Sequence, residues 1–290
     1  MQRHHIRYHT NLHINNILFL VISVFFLIFT AYTRNTESFA AEESAAAVSD
    51  DTVNPVTVCV LDSGCGQDLS GWNYVEGNDD LTDTDGHGTR VCEILQDYAP
   101  QADIVMLKCF DAEIEANDGG AVEARIADAL RDAVDQYDAD LISMSWTVGQ
   151  ESETLHDAVR YAKENGAVLV SAAGNLSLET PLGSLVYPAG WDEVIGVGGV
   201  DFDEDGDPVT SLWYLHSEAV YVSADGNWAG ERGSSYAVPR VAGEVASYLQ
   251  DHPEATEEAV RTYLREQAQD AGEEGYDTTF GWGVIISDAS

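Results

Sequence analysis

The chain has 290 residues, 44% of them hydrophobic, with 51 acidic side chains against 13 Lys plus Arg, a formal net charge of -38. That length allows one large domain with a well-buried core, and the charge excludes a binder of nucleic acid or of anionic lipid surfaces, which such a chain repels. The imbalance belongs to the part beyond residue 40, where 50 acidic and 10 basic side chains leave a net of -40 and Lys108 and Lys163 are the only lysines. Self-repulsion of this kind is screened in concentrated salt, so a salt-loving source is expected.

Residues 1–40 read as a targeting signal. Arg3 and Arg7 open it, Ile17 to Ala31 is apolar apart from Ser23 and Thr30, and Ser38-Phe39-Ala40 places small residues at cleavage spacing. The run is short for a membrane span, which wants roughly 20 apolar residues. A cleaved signal peptide is therefore expected, with an uncleaved N-terminal anchor as the alternative and the only membrane contact foreseen. Either way the remainder is secreted or held at the outer face of the cell membrane. Residues 41–55 form a short acidic linker, and residues 56–290 form one domain without internal repeats.

Along that domain, short β-branched runs alternate with stretches of helical period. Val56 to Leu61 predicts a buried strand that ends on Asp62-Ser63-Gly64, and Thr84 to Thr89 frames His87 with two glycines. Ile104 to Phe110 predicts a second strand. Val122, Ile126, Ala129, Leu130, Ala133 and Val134 then repeat at helical spacing. Leu141 to Ser145 predicts a third strand, Leu155, Ala158, Val159 and Ala162 a second helix that stops at Asn165-Gly166, and Ala167 to Ala172 a fourth strand leading into Ala173-Gly174-Asn175. A fifth strand is expected at Val194 to Val200. Ser235 opens a helical stretch, with Pro239 expected in its first turn, where a missing N–H is tolerated.

This alternation implies an open α/β sheet with helices on both faces. Ligands bind beyond the carboxyl ends of such strands, so Asp62, Ser145 and Asn175, each at the end of a different strand, are expected on one edge. Four cysteines, Cys59, Cys65, Cys92 and Cys109, admit three pairings. Cys59 and Cys109 lie in apolar runs where a free thiol acts as a small hydrophobe. With no CxxC pair and scattered histidines, no metal site of zinc type is expected.

The segments VCVLDSG, TDGHGTRV, SAAGN and GSSYAVPRVAG, in that order, resemble the signature segments of the subtilisin-like serine proteases. The resemblance covers about residues 56–288 and includes LISMSW, VYPAG, VIGVGGV and the closing TTFGWG. It implies a three-layer sandwich around a mainly parallel seven-stranded sheet. By motif, Ser235 would be the nucleophile, His87 the general base and acid, Asp62 the group that orients the imidazole, and Asn175 the side-chain donor to the oxyanion. An extended peptide or protein substrate would lie between Gly119 and Gly120 on one side and Ser145, Trp146 and Thr147 on the other, with Ala173 and Gly174 near the pocket for the residue before the cut. Trp146 reads equally as a lid or wall of that pocket and as a core aromatic.

The resemblance requires no cofactor, and allows calcium as a structural ion. The loop Asp201, Asp203, Asp205, Gly206, Asp207 starts like a calcium loop, yet Leu212 stands where a bidentate Glu would complete it, so a solvated hairpin turn is expected instead. The sequence departs from the family at Arg90, Ser234 and the stretch Ser211 to Gly230, and the region before the first strand is shorter than a usual pro-segment. These departures keep a second reading open, a catalytically idle chain of the same fold that binds peptides or protein partners.

Overall fold

The structure, a computed structural model, describes residues 55–111 and 121–286. The predicted targeting segment, all of the linker but its last residue, and Gly119 and Gly120 lie outside the described residues. Among the described residues no helix is long and apolar enough to cross a membrane.

Strand β1 (Thr57–Asp62) lies at the centre of a parallel sheet. On one side of it come β3 (Asp103–Lys108) and the edge strand β2 (Ser70–Asn73), and on the other come β4 (Leu141–Met144), β5 (Val168–Ala172), β6 (Ile195–Phe202) and β8 (Val222–Asp225). Seven strands are thus parallel, as the family resemblance implies. Strand β7 (Pro208–Val209) folds back antiparallel on β6, and β9 (Asn227–Trp228) pairs with β10 (Glu231–Arg232) in a separate hairpin.

The strands are buried on both faces, which is why they read as continuous apolar runs. In β1, Val58 and Val60 face one core while Cys59 and Leu61 face the other. Helices α1 (His87–Tyr98), α4 (Ser234–Asp251) and α5 (Glu257–Gln267) cover the first face, and α2 (Ala121–Asp135) and α3 (Glu153–Glu164) cover the second. Two-fold alternation along β1 therefore feeds both layers at once. After β1 the chain first builds β2 and β3 on one side, then returns to build β4 and the rest on the other. The carboxyl end of β1, where Asp62 sits, is the point at which the order reverses and a crevice opens.

Two details differ from expectation, and a third agrees with it. Pro239 lies in the second turn of α4 rather than the first. Helices α1 and α5 and strands β2 and β8 carry too short an apolar pattern to be predicted. The acidic loop is a hairpin turn in which Asp203 Oδ1 accepts from the N–H groups of Asp205 at 2.9 Å and Asp207 at 3.0 Å.

Candidate active site

Asp62 is the last residue of β1 and His87 the first of α1, so the pair joins a strand end to a helix start. His87 Nδ1 is 2.8 Å from Asp62 Oδ1, which also accepts from Ser63 N at 2.8 Å and Ser63 Oγ at 3.2 Å. Both side chains are buried. Close approach depends on Gly88, because a methyl group there would strike the Gly64 carbonyl and crowd the Asp62 side chain. Burial pulls the imidazole pKa down, yet the charge and hydrogen bond of Asp62, with Asp85 behind them, outweigh it and leave His87 above its ordinary value.

Ser235 stands in the first turn of α4, where backbone N–H groups have no intrahelical partner and the helix end is positive. Because Pro239 has no N–H, the Ser235 carbonyl loses its helical donor. Ser145 supplies one instead: its Oγ donates to Ser235 O at 2.9 Å. The Ser145 hydroxyl is thereby committed to holding the backbone of Ser235.

Asn175 follows β5 and clamps the start of α4. Its Oδ1 accepts from Ser234 N at 2.9 Å, while Ser234 Oγ accepts from Gly174 N at 3.2 Å. Asn175 thus caps a helix from another segment, and Ser234, which stands where the family usually has threonine, keeps the hydroxyl that this clamp uses. The bond fixes the amide plane. A Cβ placed on Gly233 would lie 3.0 Å from Ser235 Oγ and 3.5 Å from Asn175 Nδ2, so the alcohol and the amide nitrogen converge on one small space. Ala173 is buried and donates its N–H to Val197 O at 2.8 Å. Gly174 has φ +101°, in the left-handed region that favours glycine, and a Cβ on it would press Val186 at 3.0 Å and Leu215 at 3.3 Å.

A cavity of about 10 Å³ opens beside Ser235, bounded by Trp146, Thr147, Gly174, Asn175, Thr180 and Val186. Trp146 is a core aromatic, buried in the cluster under α2 and α3, donating from Nε1 to Leu61 O at 3.0 Å and meeting Phe110 edge-on, and it also forms a fixed wall of this cavity. Around the outer rim, the paired segments 174–183 and 213–216 leave Leu178, Leu182 and Trp213 exposed, with Leu212 beside them.

A model described as the Subtilase family matches residues 53–283. The chain belongs to the subtilase family of serine-type peptidases. It is 28% identical over 256 residues to Subtilisin DY of Bacillus licheniformis, covering 81% of this chain and 90% of that protein. It is 29% identical over 260 residues to the Minor extracellular protease Epr of Bacillus subtilis, covering 79% of this chain but only 37% of Epr. Among solved structures, that of fervidolysin from Fervidobacterium pennivorans, described as a keratinolytic enzyme related to subtilisin, superposes with TM-score 0.69 at 26% identity over 79% of this chain and 41% of that one.

Two groups of this subtilase's site were not foreseen from sequence. Asp83 organises the approach to α1: its Oδ1 accepts from Ser63 Oγ at 3.0 Å and Gly86 N at 2.8 Å, and its Oδ2 from Thr89 N at 2.8 Å and Thr89 Oγ1 at 2.6 Å. Burial pushes its carboxyl up, but these donors prevail and hold it below the usual range. Asp83 stands outside the usual helix-start positions, since the residue before His87 is Gly86 and the first turn holds no acid, so no local signal marked it. The second group is Tyr236, whose ring lies 5.7 Å from that of His87 and whose hydroxyl receives Arg90 Nε at 3.3 Å and donates to Glu231. Arg90, the departure noted in the sequence, therefore has a partner that no local motif announces.

Calcium finds no fitting group of side chains among the described residues. Among the described residues no group of three or more His, Cys, Asp or Glu side chains could hold a metal ion. In the acidic loop, Asp203 Oδ1 is already turned inward on two backbone amides.

Proposed function

We propose that the chain is an exported serine endopeptidase in which Ser235, His87 and Asp62 hydrolyse peptide bonds and Asn175 receives the oxyanion. Two observations support this reading: the Asp62–His87 bond, and the convergence of Ser235 Oγ and Asn175 Nδ2 beside Gly233, next to Tyr236 whose ring lies 5.7 Å from that of His87. His87 Nε2 takes the proton of Ser235 Oγ as that oxygen attacks the scissile carbonyl, and Asp62 Oδ1 stabilises the imidazolium through Nδ1–H. Negative charge collects on the former carbonyl oxygen, where Asn175 Nδ2 and the Ser235 N–H donate to it. His87 then returns the proton to the leaving amine. Water, deprotonated in turn by His87, attacks the acyl-enzyme and restores Ser235.

The narrow cavity bears on substrate choice. With Val186 and Leu215 closed on Gly174 and only about 10 Å³ of space, room comparable to one water molecule, the residue before the cut should be small, such as Ala or Ser. Peptides with Phe at that place should react more slowly.

A fluorophosphonate probe tests the reading. Labelling of the pure protein that disappears in Ser235→Ala is expected, and absence of labelling at both low and high sodium chloride refutes it. The same salt series tests the salt-loving source, since activity that falls steadily from dilute buffer upward contradicts it.

A further inference from the structure

In the structure all four cysteines are buried thiols, and the sheet divides them into two sets. Cys59 and Cys109 belong to the core under α2 and α3, whereas Cys65 and Cys92 belong to the core under α1 and α4. In the first set the β1–β3 register puts Cys59 opposite Val105. Cys109 lies four residues farther on, roughly 13 Å at about 3.3 Å per residue, beyond the ~7 Å reach of a disulfide between Cα atoms.

The second set is placed differently. Gly66 N donates to Thr89 Oγ1 at 2.9 Å, and Gly64 packs on Gly88, so the residues flanking Cys65 lie against the first turn of α1. Cys92 comes one turn later, at i+4 from Gly88 and i+3 from Thr89, on that same helix face. Both side chains are buried and pack in the same core cluster.

We propose that Cys65 and Cys92 form a disulfide that staples the loop following Asp62 to the helix beginning with His87. The Cys92 S–H bonded to Cys65 holds the Cys65 thiol below its ordinary value against the effect of burial, with Gln67 N adding a contact at 3.4 Å, while the same bond and burial push Cys92 up. With Cys65 as the attacking thiolate, Cys92 is the resolving thiol. With a small disulfide such as oxidised glutathione as oxidant, Cys65 attacks one of its sulfurs and expels a glutathione thiolate. Cys92 then gives up its proton and attacks Cys65 Sγ of the mixed disulfide, expelling the second. Two protein thiols lose two electrons, and one glutathione disulfide becomes two thiols that take up both protons. Since both cysteines are buried, exchange occurs on the folding chain or through an opened loop.

The test folds the full chain from its reduced form in a glutathione redox buffer, quenches it with iodoacetamide in denaturant, and reads intact mass and a peptide map. Alkylation of only Cys59 and Cys109 is expected, with a linked peptide pair containing Cys65 and Cys92. Dithiothreitol should lower the Tm of this protein by about 5–10 °C and leave that of Cys65→Ser/Cys92→Ser unchanged. Alkylation of all four cysteines, a link through Cys59 or Cys109, or a wild-type Tm indifferent to dithiothreitol overturns the proposal. The mass readout needs no hydrolytic activity, so its outcome is separate from that of the serine-peptidase reading.

Discussion

The two helix layers solve different problems. Helix α4 is buried along most of its length, meeting its surroundings with Ala237, Val241, Ala242 and Ala246, and a methyl on Gly243 would collide with Tyr98 of α1. Helices α2 and α3 each bury one stripe, Ile126, Ala129, Leu130 and Ala133 in the first and Leu155, Ala158, Val159 and Ala162 in the second, and keep acidic side chains outside. The layer that bears Ser235 and His87 gives up side-chain volume for close approach. Small displacements there reach the groups proposed to react, whereas the other layer absorbs change at its wet surface.

Substitutions on the two layers should therefore separate by orders of magnitude. Ser235→Ala should lower kcat by roughly 10⁶-fold, the size of loss that removing the nucleophile causes in subtilisin, with little change in Tm. Exposed Asp128→Ala on α2 should leave steady-state rates alone and shift stability by less than about 0.5 kcal/mol. Asn175→Ala should cost about 10²–10³ in kcat, as loss of the corresponding donor does in subtilisin. It should also cost about 1 kcal/mol of stability through the lost cap on α4, seen in denaturant melts. Gly243→Ala should destabilise by about 1–3 kcal/mol through overpacking, a result that an equal cost for Asp128→Ala would empty of meaning. The smallest effect concerns pH. His87 must be neutral to accept a proton and its pKa is raised, so kcat/KM should climb with pH through a value above the ordinary imidazole range. In Asp85→Asn one of the charges raising it is gone, and that limb should move toward lower pH.

Much of the frame was readable. Strands β1, β3, β4, β5 and β6 fall within one or two residues of the predicted runs, because strands buried on both faces leave unbroken apolar stretches. Edge strand β2, SGWN, buries only Asn73, and α5 buries only Val260 and Leu264, too little pattern for periodicity to register. At the site, glycine framing drew attention to the strand ends and loops that hold Asp62, His87, Asn175 and Ser235. What could not be read was their supports. Ser145 bonding the Ser235 carbonyl, Asn175 capping α4 and Tyr236 lying between Arg90 and Glu231 all join residues brought near one another only by the fold.

The greasy rim of Leu178, Leu182, Leu212 and Trp213 stands out on a surface otherwise crowded with carboxylates. In brine the reach of those carboxylates shrinks to about 3 Å at 1 M ionic strength, while salting-out solutes strengthen contact between nonpolar groups. The rim's nonpolar contacts would therefore hold more firmly as salt rises, while the pull and push of the carboxylates around it fade.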